Sequence, residues 1–142
     1  MTALSRTKGH DFERRIASQL RAAFPRATIR RSSQAHAAYE PDVVIEGDAP
    51  PLVLRLWLEL ETGRAPQPEG KLRQAERDVA RRADGYLPVV VWHLHASRSV
   101  HATMRLAVLC ILVGGVGGEK AADVVVTVDW DHLLDLIAKE TP

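Results

Sequence analysis

Apolar and polar positions alternate with period two over residues 52–61. Leu54, Leu56, Leu58 and Leu60 fall on one side, and Arg55, Trp57, Glu59 and Glu61 on the other. This alternation predicts a strand with one face in a core. Upstream, Phe12, Ile16, Leu20 and Phe24 recur every fourth residue and predict a helix over 7–24, closed by Pro25. Short strands are expected at 27–31 and, after Pro41, at 42–45. The three strands make a meander that follows a helix. Gly63, Pro66, Pro68 and Gly70 mark 62–70 as a loop. A second helix is expected over 71–84, burying Leu72, Ala75, Val79 and Ala83 and stopping at Gly85. The unbroken apolar run at 88–92 reads as a buried strand, so the helix before it is the crossover of a mixed sheet. Residues 100–113 predict a helix burying Met104, Val108, Ile111 and Leu112, although the run LAVLCILV suits a strand equally. A last strand at 124–128 leads to a helix capped by Asp129, with Leu133, Leu134, Leu136 and Ile137 inward. The expected architecture is α/β, a mixed central sheet flanked by helices.

Composition adds bounds. A chain of 142 residues with 46% hydrophobic content suits one domain spanning 1–142. The single Cys110 excludes an internal disulfide and points to a reducing, cytoplasmic compartment. No apolar run is long enough for a membrane span, and the opening residues lack the apolar core of a secretory signal.

The net charge of +1 conceals segregation. Residues 1–35 carry Arg6, Lys8, Arg14, Arg15, Arg21, Arg26, Arg30 and Arg31 against Asp11 and Glu13. Residues 36–63 reverse the sign, with Glu40, Asp42, Glu46, Asp48, Glu59 and Glu61 against Arg55. Residues 64–83 are basic again through Arg64, Lys71, Arg73, Arg77, Arg81 and Arg82. An acidic centre between basic flanks suits a metal-dependent enzyme acting on a polyanion. Solvated helix faces explain such charge runs as well, and on charge alone they are the better explanation.

Specific side chains sharpen the chemistry. Glu59 and Glu61 share the face away from the leucines, with Cα atoms roughly 6–7 Å apart. Asp42 from a neighbouring strand would join them, and such acids repel one another unless a cation or a proton intervenes. Oxygen ligands suit magnesium. Glu13 sits beside the apolar stripe of its helix, within reach of an interior edge. Ser32 and Ser33 are available to a phosphate but suit a turn better. The Gln74 amide is a candidate for orienting water or phosphate. His93 and His95 read as ordinary polar residues at a strand end.

The order of these features resembles the PD-(D/E)xK nuclease superfamily. It runs from Glu13 on the first helix through Pro41-Asp42 and Glu59-x-Glu61 to a helix bearing Gln74-Ala75. Within that superfamily the chain is most similar to phage and archaeal Holliday junction resolvases. Lys8-Gly9-His10-Asp11-Phe12-Glu13 resembles their first helix, and Arg30-Arg31-Ser32-Ser33 their segment before the catalytic aspartate. Trp57-Leu58-Glu59-Leu60-Glu61 with Gly63-Arg64 and Leu72-Arg73-Gln74-Ala75 resembles the phage branch. The likeness covers roughly 8–92 and extends to the last strand and helix, while 97–122 has no counterpart and reads as an insertion.

The resemblance implies a restriction-endonuclease-like fold and a metal-dependent endonuclease that nicks paired strands of four-way junctions. Asp42, Glu59 and Glu13 would hold magnesium, with manganese substituting. Lys8, Arg14, Arg30, Arg31, Ser33, Arg64, Lys71 and Arg73 would grip branched double-stranded DNA, and a homodimer would supply matched sites. The family's usual lysine falls at Glu61. Glutamate there would accept the attacking water's proton or help hold a second cation. Lys71 or Arg64 would then supply the missing positive charge. Two rivals are another nuclease of the same fold and a nucleic-acid-binding module whose site has decayed.

Overall fold

The computed structural model describes residues 3–32, 40–82, 85–115 and 119–140. Five helices and six strands follow in the order α1 (Ala3–Ala23), β1 (Ala27–Arg31), β2 (Val43–Gly47), α2 (Pro51–Leu54), β3 (Leu56–Gly63), α3 (Pro68–Arg82), β4 (Leu87–Leu94), β5 (Val100–Arg105), α4 (Leu106–Leu112), β6 (Val125–Asp129) and α5 (Trp130–Glu140). A 3₁₀ turn over Glu119–Ala122 precedes β6. The strands form one sheet in chain order, antiparallel throughout except for the parallel pair β3 and β4. The chain is therefore α/β, with a mixed six-stranded sheet flanked by helices. Among the described residues no helix is long and apolar enough to cross a membrane.

Each face of the sheet is covered by a different set of helices. Leu56, Leu58 and Leu60 of β3 join Phe12, Ile16 and Leu20 of α1 and Leu133 and Ile137 of α5 in the main core. Trp57 and Val90, of opposite parity, are buried outside that cluster, as are Leu72 and Ala75 of α3. α3 thus packs on the other face, as the crossover between parallel strands requires. It is tied there by Arg105, which makes two 2.9 Å bonds to Glu76.

Several expectations change, the loop expected at 62–70 among them, since β3 runs to Gly63 and α3 begins at Pro68. The strand expected at 52–61 starts at Leu56, because Pro51–Leu54 forms one helical turn. Pro51 favours that turn, since proline at the first helical position has no N–H to satisfy. Residues 100–113 split into β5 and α4 instead of forming one helix, and Met104 is buried from a strand while Ile111 is 40% exposed. β5 lies between β4 and β6, so this part of the stretch read as an insertion is built into the sheet. Val79 is only half-buried, and Ala83 lies outside the described residues.

The last helix begins as expected, with the His132 N–H donating to Asp129 Oδ1 at 2.8 Å.

Leu58 lies fully buried at the centre of β3 and Leu94 is 41% exposed at the end of β4. Leu58→Ala is expected to cost about 2–5 kcal/mol in urea unfolding, and Leu94→Ala less than about 0.5 kcal/mol. Equal losses would contradict this core.

Candidate active site

β2 and β3 pair at a single residue register, Val43 with Leu58. Beside it the chain uses a side chain where a ladder bond would stand. Asp42 Oδ2 accepts the Leu60 N–H at 2.8 Å. This fixes the Asp42 carboxylate at the start of β2, over the middle of β3. Period two then brings Glu59 to it, on the face opposite Leu58 and Leu60.

Asp42 and Glu59 face each other closely enough that a side-chain hydrogen bond between them, which needs a proton, favours the neutral Glu59 carboxyl. Burial, then the charge of Asp42 and that shared bond, push the Glu59 carboxyl from the ordinary 4.5 to about 8. The Trp57 N–H, donated to Glu59 Oε1 at 2.9 Å, and the Lys71 ammonium oppose that rise. Lys71 reaches the pair from α3, with Nζ 3.8 Å from Asp42 Oδ2.

Glu13 comes to the same neighbourhood from α1. Its pKa is raised by burial and by the negative charge of Asp42, against His10, Arg31 and Lys71. Arg31 lies 3.6 Å from its carboxylate. The three acids therefore feel one another through Asp42. Among the described residues, however, no three His, Cys, Asp or Glu side chains are grouped so as to hold a metal ion.

Glu61 turns elsewhere. Its Oε1 accepts the Gln67 N–H at 2.9 Å, fastening the loop that leads into α3. Its Oε2 is buried and has no hydrogen-bond partner among the described residues. Gln74 is exposed, donating to Asp78 at 3.1 Å and accepting from Arg77 at 2.7 Å, and joins none of the acids.

The basic residues divide into two groups. Arg30 is held by Glu40 at 2.6 and 3.1 Å and by Glu46 at 3.2 Å, which raises its pKa. Arg14 lies 3.4 Å from Asp11, and Arg26 pairs with Asp48 at 2.9 Å. Arg26 and Arg30 of the first basic segment are thus paired with acids of the second segment, and Arg14 with an acid of its own. Lys8, Arg64 and Arg73 are exposed. Ser33 lies outside the described residues.

Trp57 escaped the sequence as a contributor, whereas Lys71 stands there as a source of positive charge for the site. Trp57 shares the parity of Glu59, so its indole donor was open to inference from the alternation. The contact between Lys71 and Asp42 depends on how α3 crosses the sheet, which no local pattern encodes.

No model of a known protein family matches the chain, and no curated protein matches it.

Two predictions follow from this geometry. Asp42→Ala strips the Leu60 N–H of its partner and is expected to cost about 1–3 kcal/mol in chemical denaturation. Asp42→Asn keeps an acceptor and should retain most of that stability. Similar losses in both would remove the bond to Leu60 from the account.

The second concerns pH. Between about 4.5 and 8 the folded protein holds a Glu59 proton that the unfolded chain has released. Stability in chelator should therefore fall as pH rises across that window. Glu59→Gln should abolish this component of the fall, and an unchanged slope would contradict the raised pKa.

Proposed function

We propose that the protein is a metal-dependent endodeoxyribonuclease of the restriction-endonuclease-like fold, acting on branched DNA as a Holliday junction resolvase does. The observation that carries this reading is the hydrogen-bonded pair Asp42 and Glu59, seated on adjacent strands beside Lys71. Two half-buried carboxyls that share a proton are a hard-oxygen donor set from which a divalent cation can displace that proton. Asp42 and Glu59 are the principal ligands in this reading, with Glu13 completing the shell directly or through water.

When bound, magnesium or manganese supplies Lewis-acid stabilisation of the phosphate and lowers the pKa of the attacking water. The chain's own residues do the rest. Lys71 is set to neutralise a phosphate oxygen beside Asp42, taking over the charge that the strand position of Glu61 lacks. Glu61 anchors the start of the helix that carries Lys71. Trp57 holds the Glu59 carboxyl in one orientation through its indole N–H. Lys8, Arg64 and Arg73 are the exposed cations for the DNA backbone, while Arg30, bonded to Glu40 and Glu46, is a structural residue.

A second reading, a nucleic-acid-binding module with a decayed site, is favoured by one observation. The third acid of the strand motif, Glu61, hooks Gln67 instead of joining the pair.

Labelled four-way junction and linear duplex, incubated with magnesium, manganese or chelator, separate the two. Nuclease action gives paired nicks near the branch point that vanish in chelator. Asp42→Asn and Glu59→Gln should each lower the rate at least about a hundredfold, and Lys71→Ala by about 10²-fold or more, the range for one electrostatic stabiliser. Binding without cutting under every metal condition would favour the decayed module. Cutting by Glu59→Gln at the unmodified rate would remove that residue from the mechanism.

A further inference from the structure

On the α1 face of the sheet, a cavity of about 270 Å³ opens between α1 and the ends of β3 and β4. We infer that it is a nucleotide pocket: it takes the base of one unpaired nucleotide, with the flanking phosphates held by Lys8 and Arg15. The inference borrows its nucleic-acid ligand from the reading above but needs no cleavage.

The size comes first. Small-molecule pockets run from roughly 300 Å³ upward, so this cavity suits one planar ring and little more. Part of its wall is fixed. The Phe12 ring stacks on His93 with centroids 5.4 Å apart and planes inclined by 22°. His93 itself is held at both nitrogens. Its Nε2–H donates to the Ser97 carbonyl at 2.6 Å, and Nδ1 lies 3.0 Å from Thr62 Oγ1. The bond to Ser97 also pins the turn that carries Ala96, another wall residue, with φ at +68°. Left-handed backbone is costly for alanine and is retained where the surroundings hold it. A wall fixed in this way is preorganised for a ring.

Charge then selects the ring's context. Lys8 and Arg15 line the cavity seven residues apart on α1, about 10 Å along the axis at 1.5 Å per residue. A cation at each end of an apolar slot matches a base with a phosphate on either side. Asp11, the acid on this wall, lies 3.4 Å from Arg14. His95, also on the wall, has its pKa lowered by desolvation and then by its neighbours Lys8, His93 and Arg64. The local field is therefore positive and favours an anionic strand. Thr62 is three residues beyond Glu59 on β3, roughly 10 Å along the strand. By strand parity Thr62 faces the side opposite Glu59, so the pocket is separate from the acid pair; an unpaired nucleotide occurs at branch points and bulges.

The test is fluorescence anisotropy in chelator with three labelled duplexes: fully paired, carrying one unpaired adenine, and carrying an abasic residue in its place. The unpaired adenine should bind about fivefold or more tighter than the abasic residue, as one stacked base supplies. The double variant K8A/R15A should bind the adenine duplex about tenfold more weakly, with a salt slope smaller by roughly 1.4, two phosphates at about 0.7 each. Equal affinity of the unmodified protein for adenine and abasic duplexes would overturn the base pocket. Unchanged binding by K8A/R15A would overturn the phosphate contacts. Failure to bind any of the three would overturn both this proposal and the nuclease reading. The expected binding pattern without cleavage in magnesium would uphold the pocket and sink the nuclease reading alone.

Discussion

The Leu60 N–H hydrogen-bonds to the Asp42 side chain, in a place where a neighbouring strand's carbonyl would ordinarily accept. That one substitution of side chain for backbone organises the site. It lets β2 part from β3 after a single paired register, and it fixes a carboxylate over β3. Glu59 is then forced against Asp42 by strand parity, with burial and like charge between them. A shared proton relieves the repulsion, and the raised Glu59 pKa follows from that arrangement. Lys71 from α3 and the Trp57 indole complete a polar cluster set in apolar surroundings.

The surface charges tell a different story from their order along the chain. The basic residues of the first segment and the acids that follow it fold onto one another, because β1 and β2 are antiparallel neighbours. Arg30 and Glu46 therefore meet across the ladder, and Arg26 meets Asp48 beyond its end. Exposed pairs of this kind contribute little stability. Their consequence is to leave fewer cations for a polyanion: Lys8 and Arg15 on α1, Arg64 in the loop and Arg73 on α3. The first two frame the cavity against His93, and the others belong to the segment joining β3 to β4.

Periodicity carried most of the architecture. The helical stripe from Phe12 to Phe24, the strand 27–31 and the crossover helix between parallel strands were all legible, because each buries one regular face. The alternation over 52–61 misled at its start, since the four residues Pro51–Leu54 satisfy a helical turn as readily as a strand. The run LAVLCILV is apolar at every position, so neither period stood out, and packing against the sheet decided the outcome. At the site, Asp42 and Glu59 were legible as acids on neighbouring strands. The turn of Glu61 toward Gln67 was not, because it depends on the path of an irregular loop. His93 was passed over because a strand-end histidine has no local signature. Its fixed orientation comes from Thr62, 31 residues away, and from a turn four residues ahead.

The claim on which the site depends is that Asp42 and Glu59 hold a proton in the place of a divalent cation. Calorimetric titration of manganese into the protein at pH 7, repeated in buffers of different ionisation enthalpy, counts the protons released as the ion binds. Release of close to one proton per ion, absent in Glu59→Gln, is the expected result. Binding with no proton release, or no binding by the unmodified protein, would contradict it.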